Sequence, residues 1–167
     1  MTEGEHAAMT RDKVKCGVIT VSDSRTEETD ESGDLIRSML LAAGHTVNVR
    51  RTVRNDVKDI DSALREELES NRVEVVVITG GTGVSSKDVT IEAVEPFLEK
   101  RLDGFGELFR SMSYEKMGVR AMLSRAVAGV SDGKVVFCLP GSIDAARLAM
   151  ERLIVPGLGH LVHEASK

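Results

Sequence analysis

Hydroxyls, carboxylates and bare backbone gather in three short stretches of this chain: Ser22-Asp23-Ser24, Gly80-Gly81-Thr82-Gly83 followed by Asp88, and Pro140-Gly141-Ser142. Glycines at 80, 81 and 83 let backbone N–H groups approach an anion with no side chain in the way, and they adopt positive φ without cost. Thr82, Ser85, Ser86 and Thr90 add hydroxyls around the same turn. A carboxylate a few residues beyond a phosphate loop suits a magnesium nucleotide, with amides holding oxygens and the acid holding the metal. Asp88 is therefore the candidate metal ligand, and Lys87 and Arg125 are the nearest candidate cationic clamps. The loop is neither a Walker A motif nor a dinucleotide fingerprint, since it lacks Gly-Lys-Ser/Thr and the G-x-G-x-x-G spacing. A glycine turn alone is equally compatible with a ligand-free connection, and the hydroxyl and carboxylate cluster is what favours phosphate. No nucleophile stands out: Cys16 and Cys138 lie inside strands, no G-x-S-x-G elbow occurs, and no histidine neighbours the glycine loop. What is left is phosphoryl or nucleotidyl transfer, in which the protein chiefly positions groups and neutralises charge.

Such loops need strands to hold them. Val75-Val76-Val77-Ile78 is an unbroken β-branched run, the pattern of a parallel strand buried on both faces. Val14 to Val21 and Lys134 to Leu139 read the same way and deliver the other two loops. In a parallel sheet all three loops fall on one edge, where open α/β sheets bind ligands. For Ser22 and Asp23 a ligand role and a plain loop role are both open, whereas Thr26 to Thr29 reads as solvated loop. Asp30 or Ser32 caps a helix carrying Leu35, Ile36, Met39 and Leu40, and Gly44 ends it. Thr46 to Val53 is a strand, Asp56 to Leu68 an amphipathic helix, and Asp88 to Val94 opens another helix. Between Leu102 and Tyr114, Phe105, Leu108 and Phe109 form a core stripe, with Glu107, Arg110 and Ser113 on the adjoining face. Ser131-Asp132-Gly133 joins Arg125–Val130 to Lys134–Leu139 as a hairpin, so one strand should be antiparallel. Ser142 caps a helix from Ile143 to Leu153, Pro156-Gly157 breaks it, and a short helix bearing His160 and His163 follows. The expected fold is α/β, a three-layer α/β/α arrangement on a mostly parallel sheet.

The 167 residues fit one domain over residues 13–167 behind a loose tail over residues 1–12. Hydrophobic residues make up 41% and charged ones 29%, an ordinary globular balance. A net charge of −5, no basic block and few aromatics argue against nucleic acid. No apolar run approaches the roughly 20 residues of a membrane span, and residues 1–12 lack a signal-peptide core. The two cysteines read as small core hydrophobes in a reducing, cytoplasmic setting.

Six motifs in order resemble the MoaB/Mog family of molybdenum cofactor biosynthesis, which includes the gephyrin G domain. They are Thr20-Val21-Ser22-Asp23, Asp30-Glu31-Ser32-Gly33, Gly80-Gly81-Thr82-Gly83 with Asp88-Val89-Thr90, Gly104-Phe105-Gly106-Glu107, Ser124-Arg125-Ala126-Val127-Ala128-Gly129 and Leu139-Pro140-Gly141-Ser142. The resemblance runs from about Val14 to Leu161, and Ser32-Gly33 and Gly44-His45 look like the MoaB branch. It implies a molybdopterin-binding fold assembled as trimers or dimers of trimers, with other cofactor-biosynthesis proteins as further candidate partners. It also implies transfer of adenylate from Mg-ATP to molybdopterin, releasing pyrophosphate. On matching positions Gly80, Gly81, Thr82 and Gly83 would cradle phosphate and Asp88 would bind magnesium. Glu107, Ser113, Pro140, Gly141 and Ser142 would line the pterin and nucleotide pocket, with Ser22 and Asp23 at its rim. Active relatives carry an acid after the second strand, in a Val-Pro-Asp sequence. Here the stretch is Val53-Arg54-Asn55-Asp56, so Asn55 takes that place unless a shift of one residue lets Asp56 serve as the catalytic acid. The same resemblance admits a pterin-binding protein without catalysis, or a CinA-like dinucleotide pyrophosphatase.

Overall fold

A computed structural model describes residues 12–167. Of the tail expected over residues 1–12, all but Asp12 lies outside the described residues. Six strands form one sheet: β1 (Lys15–Val21), β2 (Thr46–Val53), β3 (Val75–Thr79), β4 (Lys100–Arg101), β5 (Val127–Ser131) and β6 (Lys134–Leu139), in the order β2-β1-β3-β6-β5-β4. β2, β1, β3 and β6 run parallel, and β5 alone runs against both its neighbours. The helices are α1 (Glu31–Ala42), α2 (Val57–Glu69), α3 (Thr90–Val94), α4 (Asp103–Met117), α5 (Ile143–Ala149) and α6 (Val155–Ala165).

Alternation along β3 builds the three layers. Val75 and Val77 enter a core with Ile36 and Leu40 of α1, Phe105 and Phe109 of α4, and Leu158 of α6. Val76 and Ile78 enter a second core on the opposite face, with Ile60 and Leu64 of α2 and Ile91 and Val94 of α3. All five residues of β3 are buried, as a central parallel strand requires. Cys16 and Cys138 are free and buried; burial pushes the Cys16 thiol up to about 12 and raises Cys138 as well, so neither is a thiolate at neutral pH. Among the described residues, no helix is long and apolar enough to cross a membrane.

Local signals set most boundaries. Asp30 is the N-cap of α1, accepting from Gly33 N at 2.9 Å, and Gly44 follows the helix at φ +89. Asp132 at φ 48 and Gly133 at φ 72 form the two-residue hairpin turn between β5 and β6. Two expectations need correction. Pro156-Gly157 does not break the helix: a π-helical turn over Met150–Ile154 leads straight into α6, and this widened turn is where the ladder accommodates the missing N–H of Pro156. β4, two exposed charged residues pairing with β5, carries no apolar pattern and escaped the sequence reading.

His45 is buried at the head of β2, and its Nδ1 accepts from Val14 N at 3.3 Å. Burial lowers its pKa below the ordinary 6.5, because desolvation disfavours the charged ring. The unfolded chain therefore takes up the proton first. Stability is complete above about pH 6.5 and is lost as pH falls through the lowered native value. Melting curves between pH 8 and 5 should show this loss, and His45→Asn, which keeps an acceptor but cannot titrate, should flatten it. Equal slopes in both proteins would contradict the assignment.

Candidate functional site

The loops after β1, β3 and β6 leave three adjacent parallel strands at the same end, as Thr20↔Thr79 and Thr79↔Leu139 pairing dictates. Their backbones touch. Gly80 N donates to Leu139 O at 3.0 Å, and Thr79 Oγ1 donates to Pro140 O at 3.1 Å. A Cβ on Gly80 would lie 2.2 Å from the Val21 carbonyl oxygen, and one on Gly141 would lie 3.1 Å from Gly80 Cα. The three predicted loops thus converge on one rim.

Gly80 and Gly81, at φ +97 and +65, turn the chain sharply, and three inward bonds hold the turn. Thr90 Oγ1 donates to Gly80 O at 2.7 Å, Thr90 N to Gly81 O at 3.0 Å, and Arg125 Nε to Thr82 O at 3.1 Å. With these carbonyls occupied, the amides of Gly81, Thr82 and Gly83 meet no protein acceptor among the described residues, and neither do those of Gly141 and Ser142. Free amides beside engaged carbonyls make an anion cradle.

Two cavities flank this cradle, and Gly81 and Gly141 line both. The first, about 330 Å³, adds Thr82, Gly83, Asp88, Arg120, Pro140 and the apolar Met117 and Leu123. The second, about 420 Å³, is walled by Ser22, Arg25, Ser32, Gly80 and Ser142. Asp88 keeps one oxygen busy: its Oδ2 accepts from Ser85 Oγ at 2.7 Å and Ser85 N at 3.2 Å, which leaves Oδ1 without a donor among the described residues. Among the described residues no cluster of three or more histidine, cysteine or acidic side chains could hold a metal. A metal here would rest on one carboxylate and on substrate oxygens, which is magnesium's habit with nucleotides.

The remaining predicted residues separate. Asn55, not Asp56, faces the glycine loop: its Oδ1 accepts from Val89 N at 3.4 Å and would stand 2.7 Å from a Cβ on Gly81. Asp56 caps α2, its Oδ1 accepting from Lys58 N at 2.9 Å and Asp59 N at 3.3 Å. Asp23 lies just beside them, taking the Asn55 N–H at 2.9 Å. Glu107 is apart from the loops, in a separate cavity of about 400 Å³ with Glu92, Asp103, Arg110 and Arg125. Ser113 lines neither cavity beside the glycine loop; it is buried, and its hydroxyl donates back to Phe109 O at 2.8 Å because helical Ser hydroxyls readily return to the preceding turn. Arg125 pairs with Glu92 at 2.6 Å while its Nε holds Thr82 O, and it lines the cavity that contains Glu107. Lys87 is exposed. Arg25 was not singled out from sequence, although it follows Ser22-Asp23-Ser24 directly; its Nη1 donates to Ser32 Oγ at 3.2 Å and to Gly141 O at 3.4 Å.

Residues 17–160 match the family described as "Probable molybdopterin binding domain". Molybdenum cofactor biosynthesis protein B of Bacillus anthracis is 48% identical over 165 residues, 98% of each chain. The chain belongs to the MoaB/Mog family. Solved MoaB structures agree with its fold. A molybdenum cofactor biosynthesis protein B superposes with a TM-score of 0.89 at 49% identity, covering 92% of this chain and 96% of the other. The tungsten cofactor synthesizing protein MoaB from Pyrococcus furiosus gives 0.84 at 38% identity, covering 94% and 99%.

Proposed function

We propose that this MoaB-family chain acts in molybdenum cofactor biosynthesis by adenylylating molybdopterin with Mg-ATP. The observation that carries this is that Gly81, Thr82 and Gly83, whose amides meet no protein acceptor among the described residues, line the same cavity as Asp88. In this reading the pterin's terminal phosphate attacks the α-phosphorus of ATP and pyrophosphate leaves. The amides hold phosphoryl oxygens in place and stabilise charge developing on them, at no reorganisation cost. Met117 and Leu123 offer an apolar wall for a planar ring. Asp88 would hold magnesium, which when bound supplies charge neutralisation. Incubation with molybdopterin, ATP and magnesium should yield adenylyl-molybdopterin and pyrophosphate in equal amounts. No product where an active family enzyme gives one would end this reading.

A second reading, pterin binding without transfer, is favoured by Asn55. The side chain at the loop is an amide, which can hydrogen-bond but brings no negative charge to a metal. Asn55→Asp separates the two. If the second carboxylate is what limits turnover, the variant should transfer adenylate at least about tenfold faster, equivalent to about 1.4 kcal/mol. Unchanged turnover in an active wild type would show that Asp88 suffices.

A further inference from the structure

We propose that Arg125 is a positioning residue for the glycine loop: by holding the Thr82 carbonyl it keeps the Gly83 N–H turned outward as a donor, and Glu92 keeps Arg125 in place to do so. That this donor serves adenylyl transfer rests on the reading above; the setting of the peptide rests on the loop itself.

A trans peptide is planar and points its C=O and its N–H in opposite directions, so a bond that fixes one fixes the other. Three consecutive peptides of the loop are set in this way. Thr90 Oγ1 holds Gly80 O, Thr90 N holds Gly81 O and Arg125 Nε holds Thr82 O, which turns the N–H groups of Gly81, Thr82 and Gly83 away from these donors. The cavity walls agree. Gly83 lines the cavity that contains Asp88, whereas Arg125 lines the separate cavity that contains Glu107.

The three peptides are not equally secure. Rotating a peptide by half a turn changes ψ of the residue before it and φ of the residue after it. In the Gly81–Thr82 peptide that rotation would carry Thr82, a β-branched residue at negative φ, into the positive range, which sterics oppose. The Gly80–Gly81 peptide lies between glycines, but the hydroxyl that locks it belongs to Thr90, which is fully buried. The Thr82–Gly83 peptide has neither protection. Gly83 accepts either sign of φ, and the bond on the Thr82 carbonyl comes from a half-exposed side chain. A flip there would replace a donor with a carbonyl oxygen close to Asp88, whose Oδ2 would stand 2.6 Å from a Cβ on Gly83. An oxygen in that place repels a phosphoryl group where the N–H would hold it.

The chemistry of arginine suits this task. While Nε donates to Thr82 O at 3.1 Å, Nη2 donates to Glu92 Oε1 at 2.6 Å, so a rigid fork grips both acceptors. Glu92 stands on α3 two residues after Thr90, and the same short helix thus anchors all three carbonyl bonds. A lysine offers a mobile point charge without the fork.

The test reads carbonyl-carbon and amide resonances of the ligand-free full chain by NMR, and steady-state adenylyl transfer beside them. Arg125→Gln should move the Thr82 carbonyl and Gly83 amide resonances and leave the Gly80 carbonyl, held by Thr90, in place. Its kcat should fall at least about tenfold, with the molybdopterin KM within about twofold of the wild type. Arg125→Lys should recover only part of that loss. Glu92→Gln keeps Arg125 but weakens its anchor; it should move the same two resonances less far and lower kcat a few-fold, and it decides the matter if Arg125→Gln does not fold. Arg101→Gln removes a neighbouring arginine that pairs with Glu95 and Asp103 and should change neither readout. Unmoved Thr82 and Gly83 resonances, full recovery by lysine, or a fall in kcat matched by an equal rise in molybdopterin KM would each overturn the proposal. Moved resonances in a chain that makes no adenylylated product would reject transfer and keep the positioning role; product formation with unmoved resonances would do the reverse.

Discussion

Alanine in place of Gly80 is expected to lower the melting temperature by roughly 6–12 °C, the effect of losing about 3 kcal/mol in a chain of this size. Two costs combine. The residue sits at φ +97, which L side chains rarely adopt, and the new Cβ would lie 2.2 Å from the Val21 carbonyl oxygen. Backbone cannot move aside as a flexible side chain can, so the β1 and β3 loops would have to part. Gly44→Ala is the natural control, because it shares a positive φ of +89 but has no atom within 4 Å of its Cβ. That variant should lose only about 1 kcal/mol, or roughly 2–4 °C. If calorimetry finds the two equal, the loops do not approach each other as described.

Asp88→Asn is expected to reduce adenylyl transfer by about 10²–10³-fold while leaving molybdopterin affinity and melting temperature near those of the wild type. The amide still accepts from Ser85, so the turn keeps its bond, but the negative charge offered to a metal is gone. The loss should fall on turnover, because neutralising a developing charge is a transition-state effect. The variant should also need more magnesium for half-maximal rate. A matching loss of pterin affinity with no change in magnesium dependence would mean that Asp88 contacts the pterin and not a metal.

The architecture was legible because its signals are local and mutually consistent. The β-branched run at Val75–Ile78 fixes a central strand, Asp132-Gly133 fixes the hairpin, and Asp30 and Gly44 bracket α1. The meeting of the three loops follows from strand order, which parallel strands joined by helices constrain strongly. What escaped depends on direction, not on type. Asn55 and Asp56 differ by one residue, and only the start of α2 decides that the carboxylate turns to cap the helix while the amide faces the glycine loop. Glu107 and Ser113 lie on a helix whose rotation is set by Phe105 and Phe109; that rotation buries Ser113 and sends Glu107 to another cavity. Arg25 looked like ordinary loop polarity, since nothing in a sequence reports that a charge lacks a carboxylate partner.

The placement of nucleotide and metal is tested most directly by a crystal structure of the chain with magnesium and a non-hydrolysable ATP analogue. The expected result is phosphoryl oxygens on the amides of Gly81, Thr82 and Gly83, with magnesium on the free oxygen of Asp88. A triphosphate bound in the Glu107 cavity, or an Asp88 that touches no metal, would contradict the account.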